Sequence, residues 1–394
     1  MSRLLFLSYS HEDAETAARV AEEMLARGIS IWQDINDIRL GRRIETEMER
    51  GIAAADAILH VLTPSSLASA PVQREVTLAL RRRRTEPDFQ VMAVARNIGE
   101  SHDEVGRRTL EELQENFARD WLEILPAGDE AIEFEPAAGF AKKVLRSFYP
   151  RREGPADGTW TIGLHARGRS EGEHDLELDW RPLVGERRRM PGDYAAWERL
   201  WAAMRDVRDV LCDHSPRREI VLHAAAHQTA GALFGRAFCA NARFGITIEQ
   251  DGSVWQSARR SEAPAGFVIN TTPEKMDSTY ITAEVEIARA VAEAVSARIA
   301  ETGEEPRLRL LARREGGAGW MDPAEAAAAA DVVAQEIKQA VDDVRPQRVE
   351  LFCAAPLPFV VLLASELGAL HAEIGLHEFH ERRYAPSIVI TEED

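Results

Sequence analysis

The sequence predicts an α/β protein with two regions, each built on parallel sheets. Three observations carry that reading. Residues 1–150 alternate short apolar runs with amphipathic ones. Residues 159–394 repeat, loosely, a pattern of strand, small-residue loop and helix. Between them, residues 151–158 are polar with Gly and Pro, as a linker should be. Repeated strand–helix units imply a parallel sheet covered on both faces. Such sheets bind ligands beyond the carboxyl ends of their strands.

Leu4 to Ser8 is almost wholly apolar, which suits a strand buried on both faces. Ala14 to Arg27 carries Ala17, Val20, Ala21, Met24 and Leu25 at helical spacing, and Gly28 stops the helix. Ile29 to Trp32 is a second strand and Arg43 to Ala55 a second helix. Ala57 to Thr63 is a third strand. Val72 to Arg84 is a third helix, with Pro71 suited to its first turn. Val91 to Ala95 is a fourth strand. In the second region the run from Glu219 to Gly235 and the run from Arg348 to Ala364 share one layout. Each is followed by a glycine and a further strand, at Gly245 and Gly375. Helices are expected between the copies at Ala283 to Ile299 and Pro323 to Val344.

At 394 residues the chain accommodates two or three domains. Its apolar fraction of 45% and charged fraction of 29% are ordinary for a globular protein. No apolar run approaches the roughly 18 residues of a membrane span, and the short opening run does not form a secretion signal. Cys212, Cys239 and Cys353 are odd in number and far apart, so a reducing cytoplasm is the expected setting. The net charge of −18 argues against binding long nucleic acid. It leaves room for a small phosphate-bearing ligand held by local arginines such as Arg259-Arg260 and Arg382-Arg383.

One carboxylate stands out. On the helix from Val72, the residues Val72, Val76, Ala79 and Leu80 form the buried stripe. At about 100° per residue, Glu75 falls on its edge. From position alone, a solvated glutamate near a helix start is the commoner case, since the helix dipole favours it there. The neighbourhood changes that balance. Phe6-Leu7-Ser8-Tyr9-Ser10, Trp32-Gln33-Asp34, Ile38 to Gly41, Leu62-Thr63-Pro64-Ser65-Ser66 and Glu75 together resemble a TIR domain with a flavodoxin-like fold. Ala70-Pro71 stands where the family often has Trp, and a common cysteine before the glutamate is absent. The resemblance implies an NAD glycohydrolase with Glu75 as its catalytic residue. It also implies that the loop from Asp34 to Arg42 mediates self-assembly. Tyr9, Ser10, Trp32 and Asp34 lie at strand ends and are the further NAD-binding candidates. NAD is the substrate, and no cofactor is expected.

Residues 159–394 resemble a SAVED domain, a fused pair of CARF-like Rossmann lobes. The matching segments are His223 to His227, Gly231 to Phe238, Gly245 to Ile248, Trp255, Leu351 to Pro356, Leu376 to Phe379 and Tyr384 to Ser387. The resemblance implies binding of a cyclic oligonucleotide, with a cyclic tri-adenylate preferred. Each strand–loop–helix unit offers helix N-terminal N–H groups as a phosphate cradle. Small residues such as Ala225 and Ala354 would let a nucleotide approach the backbone, and Pro356 of the matching Ala-Ala-Pro loop is a further binding candidate. His227, Gln228, Trp255, Arg259, Arg260, Arg383 and Tyr384 are the candidates for base stacking and phosphate contacts.

No metal site is expected from these patterns. Asp34 to Asp37 lacks the glycine and closing glutamate of a calcium loop. His377 and His380 are three apart on a strand and point to opposite faces. The expected protein is a cytoplasmic antiviral effector of bacterial cyclic-oligonucleotide (CBASS) immunity. It would cleave NAD when a cyclic nucleotide drives oligomers or filaments of TIR domains. The alternative is a non-catalytic TIR signalling adaptor gated by the same kind of nucleotide.

Overall fold

The computed structural model describes residues 3–33, 44–95, 137–148, 158–170, 172–184, 194–214, 218–239, 244–256, 266–317, 319 and 321–391. The chain divides into two compact units, Met1–Glu153 and Gly154–Asp394. Among the described residues, no helix is long and apolar enough to cross a membrane.

The first unit holds β1 (Arg3–Ser8), α1 (Ala14–Ala26), β2 (Ile29–Gln33), α2 (Ile44–Ala54) and β3 (Ala57–Leu62). It continues with α3 (Pro64–Ala68), α4 (Ala70–Thr85), β4 (Gln90–Ala95) and α5 (Ala137–Phe148). The strands and the three longer expected helices fall within about two residues of their sequence-based bounds, whereas α3 and α5 were not anticipated. The strand order is β2-β1-β3-β4, every pair parallel. Every residue of β3 is buried, as a central strand between two helical layers requires. Phe6, Ile52, Ile58, Leu62, Val76 and Val91 form one core between sheet and helices. Gly28 ends α1 at φ 80°, a conformation that favours glycine.

The second unit contains two sheets. The first lobe has β5 (Thr159–His165), β6 (Leu176–Asp179), α6 (Arg181–Val184), α7 (Tyr194–His214), β7 (Glu219–Ala225), α8 (Gln228–Ala237), β8 (Gly245–Gln250) and β9 (Ser253–Gln256). The second lobe begins with β10 (Phe267–Pro273), β11 (Tyr280–Glu286), α9 (Ala292–Thr302), β12 (Leu308–Arg314) and α10 (Pro323–Val344). It ends with β13 (Arg348–Ala354), α11 (Leu357–Glu366), β14 (Glu373–His380) and β15 (Arg383–Ile390). The orders are β6-β5-β7-β8-β9 and β10-β12-β11-β13-β14-β15. Without β10 the two sheets have the same topology. Four parallel strands are followed by an antiparallel one, β9 or β15. The loose repeat in the sequence is therefore a repeat of whole Rossmann-like lobes.

One expected helix is corrected. Ala283 to Ile299 was expected to be helical throughout, but Tyr280–Glu286 is the fully buried strand β11, and the helix begins only at Ala292. Glu284 and Glu286 disguised the strand. Glu284 is 0% exposed and takes a two-pronged contact from Arg309 on β12, at 2.7 and 2.8 Å. Glu286 accepts the N–H groups of Val291 and Ala292 at the start of α9. Both charges are buried because both have partners.

The lobes meet through α8 and α11, the equivalent helices of the two copies. Glycine permits that approach. A Cβ on Gly235 would lie 3.0 Å from the Val361 carbonyl carbon and closer still to its oxygen. A Cβ on Gly231 would meet the Leu357 side chain.

Candidate functional site

Two places in the chain gather functional side chains, one in each unit. In the first unit, α4 buries Val72, Val76 and Ala79, and Glu75 turns with them to 5% exposure. It is more deeply buried than an edge position suggests. Ser8, the last residue of β1, donates its Oγ to Glu75 Oε2 at 2.5 Å. Ser8 stands in register with His60 on β3. Burial pushes the His60 ring down to about 4, against the opposing effect of its bond to the Ser8 backbone. The ring is therefore neutral near pH 7, and its Nε2 lies 3.3 Å from Ser66 Oγ.

The segment leading into α4 is tied down locally. Thr63 and Ser66 form a reciprocal capping box at the start of α3. Thr63 Oγ1 donates to Asp13 Oδ2 at 2.6 Å, and Ser65 Oγ donates to Glu12 Oε2 at 2.5 Å. These bonds join the loop after β3 to the loop after β1, at the carboxyl ends of both strands. A carboxylate held there, out of bulk water, acts strongly on a positive charge brought close to it.

The other candidates of this unit are spread out. Tyr9 is half-buried and Ser10 buried, its Oγ without a hydrogen-bond partner among the described residues. Trp32 stacks on Phe6, with centroids 4.6 Å apart and planes at 16°, so it packs largely as core. Asp34 and the loop from Asp34 to Arg42 lie outside the described residues. Sequence reasoning placed Ser8 in a motif but not against Glu75, and it passed over His60. A histidine inside the apolar run Ala57–Leu62 was the available signal.

In the second unit, Ala225 and Ala354 end the equivalent strands β7 and β13. Gln228 Nε2 donates across the lobes to the Ala355 carbonyl at 2.9 Å. His227 is 7% exposed, and burial pushes its ring down to about 4 with help from the Arg167 charge. Pro356 is half-buried and precedes the first turn of α11. The expected phosphate cradle at α8 needs correction. Glu378 of β14 already accepts the Thr229 N–H there at 2.7 Å, and Thr229 Oγ1 bonds Ser387 Oγ at 3.0 Å. A carboxylate occupies the place an anionic ligand would take.

Two stacking candidates are also corrected. Tyr384 is 1% exposed, sits between Phe352 and Phe379, and donates its hydroxyl to the Cys353 carbonyl at 3.0 Å. Trp255 is buried on β9, which lies against α10. Both rings fill the core and present no open face to a base. Arg383 is exposed, while Arg259 and Arg260 lie outside the described residues. His377 Nε2 donates to the Glu350 carboxylate at 2.7 Å, and His380, three residues on in β14, falls on the opposite face of the strand.

The open spaces lie elsewhere. A cleft of about 720 Å³ beyond β7 and β8 is lined by Arg169, Ser170, His223, Ala225, Glu249 and Ser253. A cleft of about 680 Å³ in the second lobe is lined by Asn270, Glu286, Arg313, Arg314 and Glu315. Both sit at the carboxyl ends of parallel strands, where such sheets take ligands. Arginine at each suits an anionic group.

Comparison with known proteins agrees with this two-part layout. Residues 5–123 match the model of the TIR domain, and residues 204–390 match that of the SMODS-associated and fused to various effectors sensor domain, or SAVED. No curated protein matches the chain by sequence. Among solved structures, the chain is similar to the Acinetobacter baumannii Cap4 SAVED/CARF-domain containing receptor with the cyclic trinucleotide 3'3'3'-cAAA. Identity is 13%, coverage is 90% of this chain and 87% of that one, and the TM-score is 0.51. The same receptor with 2'3'3'-cAAA gives 14% identity, the same coverage and a TM-score of 0.51. At such identities the likeness concerns the fold. The architecture is that of a TIR–SAVED protein, with a TIR domain followed by a SAVED sensor domain.

Proposed function

We propose that the TIR domain cleaves NAD+ at the nicotinamide–ribose bond, and that a cyclic oligonucleotide bound by the SAVED domain switches it on. The observation that carries the first half is the buried Glu75 carboxylate, held by Ser8 at the carboxyl end of β1. In NAD+ the leaving group is a pyridinium. When its bond to the ribose breaks, the electron pair stays on the ring nitrogen and neutral nicotinamide departs. No acid has to protonate it, so one carboxylate suffices where a sugar hydrolase uses two. Glu75 stabilises the positive charge that develops on the ribose. Water then adds to give ADP-ribose and a proton, or an internal nucleophile of the nucleotide gives a cyclic product.

The second half rests on the two arginine-bearing clefts and on the ligands of the A. baumannii receptor, which are cyclic trinucleotides. A cyclic tri-adenylate is the proposed activator. Its binding promotes oligomers or filaments in which TIR domains meet, because a ligand favours whichever state it binds better. The direct test is Glu75→Gln, which keeps size and hydrogen bonding but removes the charge. With a fluorescent NAD analogue and cyclic tri-adenylate, the parent consumes the analogue and Glu75→Gln does not. Equal rates in both would refute the assignment of Glu75.

A further inference from the structure

The two lobes differ at one crossover. In the second lobe residues 287–307 join β11 to β12 and include the helix α9. In the first lobe only residues 166–175 join the equivalent strands β5 and β6, and the described ones contain no helix. Parallel strands are usually joined by a dozen or more residues with a covering helix. A histidine cluster lies where that helix is missing. His165 ends β5 at 0% exposure, and His174, from the crossover, is 2% exposed.

The sheet register builds the rest of the cluster. Gly163 of β5 is paired with Glu177 of β6 on one side and with His223 of β7 on the other. Gly163 also shares its face with His165, two residues on. A Cβ on Gly163 would lie 2.7 Å from His165 Nε2 and 2.8 Å from His174 Nδ1. Both nitrogens therefore converge on one point above the glycine. His174 Nδ1 is 3.7 Å from Glu177 Oε1, and one ligand atom from each of His165, His174 and Glu177 lies within 4.8 Å of the others. His165 Nε2 is buried and has no hydrogen-bond partner among the described residues. Left so, a buried polar atom destabilises the fold.

The geometry points to a divalent transition-metal site of the zinc class, held by His165 Nε2, His174 Nδ1 and Glu177 over Gly163. Two imidazoles and a carboxylate are a donor set zinc accepts, with a fourth position left for water. Bonds of about 2.0–2.2 Å in tetrahedral array set neighbouring donors about 3.4 Å apart. The His174–Glu177 separation of 3.7 Å is close to that already, and the other pairs, within 4.8 Å, have to close by at most about 1.4 Å. His223, whose ring centroid is 5.1 Å from that of His174, flanks the open side.

Ser170 sets the proton inventory. Its backbone N–H donates to His165 Nδ1 at 3.2 Å, which leaves the ring proton on Nε2. Metal binding moves that proton to Nδ1; the Ser170 N–H then gives up this bond and turns to water, and Ser170 Oγ, 3.5 Å away, accepts the Nδ1 proton and orients the ring. Glu177 meanwhile gives up its long contact with Arg169, 3.4 Å, and Arg169 turns to the cleft it already lines. The metal does the work of the missing helix by fastening the short crossover to the sheet.

The test uses the full chain, freed of any polyhistidine tag, stripped with a chelator and then offered Zn2+ or Co2+. After desalting, the expected result is about one metal ion per parent chain, a tetrahedral Co2+ absorption pattern and a melting temperature raised by Zn2+. His174→Ala and Glu177→Gln should each weaken binding more than about tenfold and abolish the thermal shift. His380→Ala should do neither. If His174→Ala does not fold, Glu177→Gln decides, because that side chain is partly exposed and conservatively replaced. A parent chain that retains no metal and gains no stability from Zn2+, or variants that bind as the parent does, would overturn the site.

Discussion

Replacing Gly235 by Ala should open the seam between the sensor lobes. The added Cβ would lie 3.0 Å from the Val361 carbonyl carbon, 3.1 Å from Ala364 Cβ, and closer to the carbonyl oxygen than any real Cβ comes. The obstacle is backbone, so no rotamer change relieves it. α8 and α11 must separate by about 1 Å. Two terms oppose each other. Ala gains about 1 kcal/mol of helix propensity over Gly. Overpacking costs about 1–3 kcal/mol and sometimes more, and a backbone clash belongs at or above the top of that range. The net is a loss of about 2 kcal/mol. For a unit of this size each kcal/mol moves the midpoint by about 2–4 °C, so melting should fall by about 4–8 °C. Calorimetry of the full chain, following the sensor transition, reads this directly. Gly231→Ala should cost less, since its new Cβ mainly meets the movable end of Leu357. Gly316→Ala, with nothing within 4 Å, is the control. A Gly235→Ala protein that melts within a degree of the parent would refute the packing argument.

Other perturbations test other contacts. Ser8→Ala removes a hydrogen bond to a charged group worth about 1.5–3 kcal/mol, so activated nicotinamide release should fall about ten- to hundredfold. Arg309→Met leaves the buried Glu284 charge with only the Thr282 hydroxyl and should cost about 3–5 kcal/mol in chemical denaturation. His60 supplies a pH dependence. Its folded value of about 4 lies below the ordinary 6.5, so the unfolded chain binds the extra proton between those values. Its contribution is complete above pH 6.5 and is lost as pH falls towards 4, by about 3 kcal/mol across the window. Melting of the TIR domain at pH 7 and pH 5 should therefore show a smaller drop in His60→Gln than in the parent.

Periodicity revealed most of the first unit, because its strands are apolar throughout and its helices carry clean stripes. Val72, Val76 and Ala79 fixed the orientation of α4 and put Glu75 at the edge of its buried stripe; the bond from Ser8, on another strand, accompanies the deeper burial that periodicity did not show. The same method failed at β11, where Glu284 and Glu286 gave a buried strand the look of an exposed helix. Only their partners explain their burial: Arg309, on the neighbouring strand, for Glu284, and the N–H groups at the start of α9, which appear only once the chain turns after β11, for Glu286. Tyr384 and Trp255 show the opposite limit. An aromatic residue in a loop-like context suits stacking or core equally, and here the neighbours Phe352 and Phe379 decide for Tyr384. Glu378 was invisible as a helix cap because it comes from the other lobe. The cluster around Gly163 was invisible for a different reason: its residues lie in one lobe, but His165, His174 and His223 meet only once β5, β6 and β7 are in register and the crossover folds over them.

In the proposed function, a nucleotide bound by the SAVED domain controls NAD+ cleavage by the TIR domain. Nicotinamide release from NAD+ by the full chain, followed by chromatography with and without cyclic tri-adenylate, tests it most directly. Little release is expected without the nucleotide and rapid release with it, rising more steeply than linearly with protein concentration as TIR domains assemble. Release that is equally fast without any cyclic nucleotide, or absent across cyclic di-, tri- and tetranucleotides alike, would contradict it.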